Sequence, residues 1–165
     1  MFEIVFIVGV IVVMLFAGVV AFGAPFLPTL SKRVDDAIEL LELEPGQLFI
    51  ELGSGDSRLQ IAAAKKGIKS IGYELNPLLV MYAKIRSFRY RKLVTVKVAN
   101  YWLIDWPEAD AMYVFLLNPY MQKLHNRIVQ RKSNKPLTVV SFAFKIPKKE
   151  PSREVNSMFQ YKYKA

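Results

Sequence analysis

The pattern of apolar and polar residues divides the chain into an apolar front segment and a longer part in which short apolar runs alternate with helical patterns. Residues 4–22 carry no charged or strongly polar side chain, so the segment is long enough to cross a bilayer as one helix. After residue 46, continuous apolar runs alternate with stretches whose apolar side chains recur at helical spacing. This alternation predicts a mainly parallel sheet with right-handed crossovers and helices on both faces.

The same pattern predicts the division of the chain and its elements. Residues 1–24 form an anchor, residues 25–46 a linker and a packing helix, and residues 47–165 an α/β domain. Ser31 or Thr29 is predicted to cap the packing helix, and Asn76 to cap a helix that begins at Pro77. The predicted helices cover residues 31–43, 57–66, 77–91 and 121–132, and the predicted strands cover residues 47–52, 68–74, 93–99, 111–117, 137–144 and, antiparallel at or near the edge, 155–163.

The front segment is predicted to be a retained transmembrane anchor rather than a cleaved signal peptide. No basic residue precedes it, its apolar block exceeds that of a usual signal sequence, and Pro25 to Pro28 forms a stiff exit instead of a small-residue cleavage site. Lys32 and Arg33 follow the segment while Glu3 precedes it, which places the domain in the cytoplasm by the positive-inside rule. The expected location is a prokaryotic inner membrane, or a mitochondrial membrane in a eukaryote.

The net charge of +9 is concentrated in the last third of the chain. Residues 1–110 hold twelve basic and twelve acidic side chains, whereas residues 111–165 hold eleven basic side chains against Glu150 and Glu154. Beside an anchor, such a basic surface predicts contact with anionic lipid headgroups, and nucleic acid is the competing partner. The absence of cysteine and the single histidine, His125, exclude disulfides, thiolate metal sites and multi-histidine metal centres within the chain.

The stretch from Leu48 to Glu74 carries the candidate chemistry. A strand that ends in Glu51 is followed by a turn containing Gly53, Ser54 and Gly55, then by a helix and a second strand that ends in Glu74. Glycines at such a turn let a ligand approach the backbone, and an acid about 20 residues on can bind ribose hydroxyls. Arg58 stands where a dinucleotide site has glycine, and no Gly-Lys-Ser/Thr of a phosphate loop follows. An acid directly before the glycines indicates a ligand that carries positive charge.

The sequence Glu51-Leu52-Gly53-Ser54-Gly55-Asp56-Ser57 resembles the first motif of class I S-adenosylmethionine-dependent methyltransferases, with Ser57 in place of the third glycine. The segments APFLPTL, LELEPGQLFIELGSGDSRLQIAAAKKG and GYELNPLLVMYAKIRSFRYR resemble more closely the small membrane-anchored protein-lysine methyltransferases. That family includes enzymes acting on the adenine nucleotide translocase and the ATP synthase c-subunit, with prokaryotic relatives. The resemblance covers residues 25–91 densely. It implies a Rossmann-like class I methyltransferase fold over residues 47–165, preceded by one N-terminal transmembrane helix.

The resemblance also implies a cofactor, S-adenosylmethionine, and residues that hold it. Glu51, Gly53, Ser54, Gly55 and Asp56 would form the motif around its methionine and ribose parts. Glu74 would take the ribose diol, Leu75 or Asn76 would border the adenine, and Asn100 would replace the acid near the adenine amine. The candidate catalytic or acceptor-site residues lie at the carboxyl ends of the third and fourth strands, where such sheets bind ligands, and are Tyr101, Trp102, Asn118, Pro119 and Tyr120.

The leading hypothesis is a membrane-anchored protein-lysine methyltransferase that acts on a membrane-associated protein. An RNA methyltransferase is the second, favoured by the basic last third, although Asn118-Pro119-Tyr120 lacks the second proline of an Asn-Pro-Pro-Tyr motif and is interpreted as a turn. A non-catalytic basic membrane-surface module is the third, favoured by Ser57 and Asn100. His125 is interpreted as a solvated surface residue, and Arg86, Arg89, Arg91 and Lys92 as a solvated helix face.

Overall fold

The computed structural model describes residues 1–10, 13, 31–133 and 135–164. Residues 2–10 are helical and exposed. The rest of the predicted anchor, apart from residue 13, lies outside the described residues. Within the described part, no helix is long and apolar enough to cross a membrane.

Seven strands and four further helices follow in the expected order. The helices are α1 Ser31–Leu41, α2 Arg58–Lys65, α3 Pro77–Ser87, which a 3₁₀ turn Phe88–Tyr90 continues, and α4 Asn118–Val129. The strands are β1 Leu48–Leu52, β2 Lys69–Glu74, β3 Val94–Val98, β4 Ala111–Val114, β5 Leu137–Phe142, β6 Arg153–Val155 and β7 Met158–Tyr163.

All seven strands belong to one sheet, in the order β3-β2-β1-β4-β5-β7-β6. Strands β1 to β5 are parallel, and β7 runs antiparallel to both β5 and β6. The chain therefore moves outwards in one direction from β1 to β3 and in the other from β4 to β5. This reversal beside β1 leaves a crevice at the carboxyl ends of the strands, which is where open sheets of this kind bind ligands.

The two faces of the sheet are covered by different helices because the crossovers change direction at β1. Right-handed crossovers place α2 and α3 on one face and α4 on the other. Residues alternate between the faces along each strand: Ile50 and Met112 pack with α4, whereas Phe49 and Ala111 pack with α1 and α2. The predicted sheet with helices on both faces is confirmed.

Several predicted boundaries are wrong, each for a reason that the structure shows. Strand β4 ends at Val114 instead of Leu117 because its pairing with β1 stops at Leu52, where the glycine turn begins. Helix α4 begins three residues before the predicted Met121, because Pro119 is tolerated in a first helical turn. Helix α3 ends at Ser87, whose hydroxyl donates to the Ala83 carbonyl at 2.7 Å, and only the 3₁₀ turn continues towards Arg91.

The predicted last strand is two strands joined by a tight turn. Asn156 and Ser157 have φ values of 51° and 63°, as the two central residues of a type I′ hairpin turn require. The hairpin is bound to α1 and to the residue after it, because Arg153 pairs with Glu39 and Lys162 pairs with Glu42. The basic excess of the last third is therefore partly neutralised by acids in and just after this helix.

Candidate cofactor and acceptor site

The loop after β1 adopts a left-handed backbone at alternate positions. The φ values are 80° at Gly53, 50° at Gly55 and 60° at Ser57. Glycine adopts this region freely, whereas another residue pays on the order of 1–2 kcal/mol. Ser57 thus adopts a left-handed conformation that suits glycine, and its hydroxyl donates to Gln60 Oε1 at 2.8 Å. The serine at the third glycine position is therefore accommodated by the loop of this chain.

The loop lies directly on β2, and sequence reasoning missed the residue that allows this. A Cβ atom at Gly72 would come within 2.4 Å of Gln60 Oε1 and 2.6 Å of the Ser54 side chain. Gln60 is fully buried, and its amide nitrogen donates to Ser70 Oγ at 3.0 Å. A lone glycine inside a strand is a known signal of close backbone approach, so the sequence does contain the clue.

Two buried polar atoms of the loop region have no hydrogen-bond partner in the described structure. They are Glu51 Oε2 and Ser54 Oγ, on residues that are 5% and 4% exposed. Burial raises the pKa of Glu51 well above its ordinary value of 4.5, and the nearby charges of Asp56 and Glu74 raise it further. Because unpartnered buried polar groups are costly, these atoms indicate a ligand that supplies both a positive charge and hydrogen bonds.

Glu74 connects the glycine loop to the start of α3. Its carboxylate accepts from the Gly55 N–H at 3.1 Å and from the Asn76 N–H at 2.9 Å. Asn76 is buried, and its side chain caps α3 by accepting from the N–H groups of Leu78 and Leu79. The predicted cap is confirmed. These two hydrogen bonds fix the orientation of the Glu74 carboxylate beside the loop. A carboxylate that binds two ribose hydroxyls needs such a fixed orientation.

Asp56 is occupied by two arginines. Arg58 donates to it through Nε at 3.0 Å and Nη2 at 2.8 Å, and Arg86 of α3 forms a second ion pair with it. Burial raises the pKa of Asp56, but the hydrogen bond and charge of Arg58 and the charge of Arg86 outweigh it and hold the pKa below its usual range. The interpretation of Arg86 as a merely solvated residue is wrong, since it fixes the loop to α3.

The loop after β3 places Tyr101 and Trp102 under several restraints. Asn100 Oδ1 accepts from the Trp102 N–H at 3.0 Å, and Trp106 Nε1 donates to the Tyr101 carbonyl at 2.9 Å. Arg127 of α4 donates to the Trp102 carbonyl at 2.5 Å. The side-chain oxygen of Asn100 therefore already has one donor within its own loop.

Three aromatic rings adjoin one another at this end of the sheet. The ring centroids of Tyr101 and Trp102 are 5.1 Å apart, and those of Trp102 and Tyr120 are 6.1 Å apart. Burial raises the pKa of Tyr101 to about 12, with smaller contributions from Glu74 and Tyr120. The charge of Glu74 contributes to this shift, so Tyr101 lies near that cofactor candidate. It also stays protonated and cannot act as a base near neutral pH.

The remaining acceptor candidates, Asn118 and Pro119, lie exposed in the first turn of α4. They lie on the same helix as Tyr120. His125 is half-buried, and its Nδ1 lies 2.9 Å from the Tyr163 hydroxyl, so its interpretation as a simply solvated residue is wrong.

Comparison with known proteins identifies the family. Residues 51–153 match the family described as the ANTKMT methyltransferase domain. The chain belongs to this family. The human lysine N-methyltransferase of the ATP synthase c-subunit is 31% identical over 125 residues, which are 74% of this chain and 53% of that protein. The chain thus spans about half the length of this relative.

Two further relatives are covered over most of their length. A protein-lysine N-methyltransferase of Saccharolobus islandicus (strain REY15A) is 30% identical over 127 residues, which are 74% of this chain and 78% of that protein. The crystal structure of an RNA methyltransferase from Salinibacter ruber in complex with S-adenosyl-L-homocysteine has a TM-score of 0.70 and 26% identity, and covers 83% of this chain and 92% of that one. The predicted family, the class I methyltransferase fold and S-adenosylmethionine as the family's cofactor are confirmed. The roles of individual site residues stay predictions.

Proposed function

We propose that this ANTKMT family member is an S-adenosylmethionine-dependent protein-lysine N-methyltransferase acting on a membrane-associated protein. The observation that carries the proposal is the pair of unpartnered buried atoms, Glu51 Oε2 and Ser54 Oγ, at the glycine loop. S-Adenosylmethionine is a cation with an amino group and hydroxyls, so it supplies the partners that these atoms lack. The curated relatives named as lysine N-methyltransferases support lysine as the acceptor.

The residues of the chain would position the reactants and exclude water. Glu74 would hold the ribose hydroxyls, and Glu51 would offset the positive charge of the cofactor. S-Adenosylmethionine supplies an activated methyl group, which is transferred as the C–N bond to the lysine forms and the C–S bond breaks. Because the amine must be neutral at attack, a desolvated aromatic pocket favours the reaction by lowering the lysine pKa. Tyr101, Trp102 and Tyr120 would form that pocket.

The predicted anchor gives a reason for the choice of substrate. A domain attached beside a membrane meets membrane proteins at a higher effective concentration than soluble ones. The proposed location is therefore a membrane, with the domain on the cytoplasmic side of a prokaryotic inner membrane or in a mitochondrion. Resistance of the full-length protein to extraction by alkaline carbonate would test the anchor, and release into the supernatant would argue against it.

An RNA methyltransferase is the second candidate. It is favoured by the likeness to the Salinibacter ruber RNA methyltransferase, which the chain covers almost completely. The predicted anchor disfavours it, because RNA is not concentrated at a membrane surface of the same charge as itself.

One labelling experiment distinguishes the two candidates. The full-length protein and methyl-labelled S-adenosylmethionine are incubated with membranes in one sample and with total RNA in another, both taken from the source organism. We expect acid-stable label in membrane protein, at lysine by mass spectrometry, and none with Glu74→Ala. Label confined to RNA would replace the first candidate by the second, and failure of wild-type protein to bind the cofactor in calorimetry would remove both.

A further inference from the structure

Helix α3 carries apolar side chains on two opposite faces. Val80, Ala83 and Ser87 are buried and face the sheet, where Val94 and Val96 of β3 complete the packing. The opposite face exposes larger side chains, with Met81 at 58%, Ile85 at 69% and Phe88 at 65%. At about 100° per residue, the mean direction of these three is roughly 130° away from that of the buried face. Leu78 and Tyr82 extend the exposed stripe.

The stripe lies in the most consistently basic part of the chain. Between Glu74 and Asp105 the sequence has no acidic residue and six basic ones, namely Lys84, Arg86, Arg89, Arg91, Lys92 and Lys97. Lys84 and Arg86 border the stripe on either side, and the Arg91 guanidinium lies 4.7 Å from the centre of the Phe88 ring. Apolar side chains between flanking cations are the pattern of a helix that lies in a lipid interface.

Ion pairs are fewer in this region than in the basic last third of the chain. Within the described residues, four of the eleven cations of the last third form an ion pair, namely Lys135, Lys145, Arg153 and Lys162. In residues 84–97, the same structure pairs Arg86 with Asp56 and shows no ion pair for the other five cations. The unneutralised positive charge thus coincides with the exposed apolar stripe, and an anionic surface complements both.

We propose that the exposed face of α3 and its 3₁₀ turn docks on an anionic lipid bilayer. Met81, Ile85 and Phe88 enter the headgroup region while Arg89 and Arg91 contact lipid phosphates. Large exposed apolar patches mark interaction surfaces. The sequence between Glu74 and Asp105 has no acidic residue, and Asp56, which pairs with Arg86, is neutralised by two arginines, so the region favours an anionic lipid surface. The inference rests on the proposed membrane location but not on methyl transfer.

The chain contains no cysteine, so a single introduced cysteine can carry a fluorophore at a chosen position. Ile85→Cys reports on the stripe, and Val129→Cys, at the end of α4 and 61% exposed, is its matched control. Each labelled full-length protein is added to vesicles of phosphatidylcholine alone or mixed with phosphatidylglycerol, both containing brominated lipid as a quencher. We expect quenching at position 85 but not at position 129, only with phosphatidylglycerol, and its reversal by salt.

A charge variant tests the same contact without changing the stripe. Arg89→Glu combined with Arg91→Glu is expected to weaken docking at least about 25-fold, from about fivefold for each basic residue lost. The proposal would be overturned by no quenching at position 85 or by equal quenching at both positions. Protection of the position-85 label before lipid is added would also overturn it, and would indicate a protein contact instead. Methyl transfer is measured on the same samples to separate lipid docking from the proposed methyltransferase function. Docking can be lost while methyl transfer is retained, and methyl transfer can be absent while docking is observed.

Discussion

Replacement of Glu51 by glutamine should change stability and cofactor binding in opposite directions. The substitution keeps the size of a side chain whose Oε2 is buried without a partner, but removes the group that ionises. Burial, with the charges of Asp56 and Glu74, raises the pKa of Glu51 in the folded protein. A raised pKa means that the folded protein holds this proton more tightly than the unfolded chain does. The contribution of this proton to the free energy of unfolding is therefore complete at low pH, and it is lost as the pH rises towards the pKa of Glu51 in the folded protein.

The expected magnitude follows from that linkage. Between the pKa of glutamate in the unfolded chain and that of Glu51, the wild-type free energy of unfolding should fall by about 1.4 kcal/mol per pH unit because of this group. Glu51→Gln lacks this contribution, so its advantage over wild type should grow with pH and then become constant. For a domain of this size, each kcal/mol corresponds to a melting temperature change of about 3 to 6 °C.

Urea unfolding of both full-length proteins in detergent, from about pH 5 to about pH 9, measures the difference. Glu44→Gln, which removes an exposed carboxyl, controls for the loss of one charge. Calorimetry with S-adenosylmethionine gives the second half of the prediction, a loss of affinity of about 10- to 100-fold from a charged hydrogen bond. Parallel stability curves, or an unchanged affinity, would refute the assignment of Glu51 as the buried partner of the cofactor's charge.

Substitutions at three further positions test the loop and the aromatic site. Ser57→Gly should leave the free energy of unfolding in urea nearly unchanged, because the loss of left-handed backbone strain offsets the loss of one hydrogen bond. Ser57→Ala should lower it by about 1–3 kcal/mol, because Gln60 Oε1 is left without its donor. Gly72→Ala should destabilise by about 1–3 kcal/mol and weaken cofactor binding through its 2.4 Å clash, whereas Gly9→Ala, with no atom within 4 Å, should do neither. Tyr101→Phe should leave the pH profile of kcat unchanged below about pH 10, because the pKa of about 12 keeps Tyr101 protonated there. If the variant lost an alkaline change in kcat that wild type shows, Tyr101 would titrate in catalysis.

The parts of the fold that were predictable depend on neighbours in sequence. The Asn76 cap, the proline that begins α3 and the order of strands and helices all follow from local residues, and the structure has each of them. The acid before the glycines and the acid after β2 were also recognisable, because their spacing reflects one strand, one helix and one further strand.

The parts that were not predictable depend on distant contacts. The Arg86–Asp56 ion pair joins residues 30 positions apart, and the Gln160 amide of β7 donates to the Leu40 carbonyl 120 positions away. No periodicity encodes such pairs. The end of β4 at Val114 likewise depends on where its neighbour β1 stops, which only the assembled sheet determines.

Several costs to stability occur together at the glycine loop. Ser57 is held in a left-handed conformation, Glu51 is buried with a raised pKa, and Ser54 Oγ is buried without a partner. A protein under selection for stability alone would lose the last two by a single substitution, Glu51 to glutamine and Ser54 to alanine, whereas the hydrogen bond of Ser57 to Gln60 offsets the cost of its backbone. A bound cation that donates hydrogen bonds would remove the costs at Glu51 and Ser54, and the left-handed Ser57 belongs to the loop that would hold it. The residues that lower the stability of the empty loop would therefore be the ones that bind the cofactor, and binding would restore that stability.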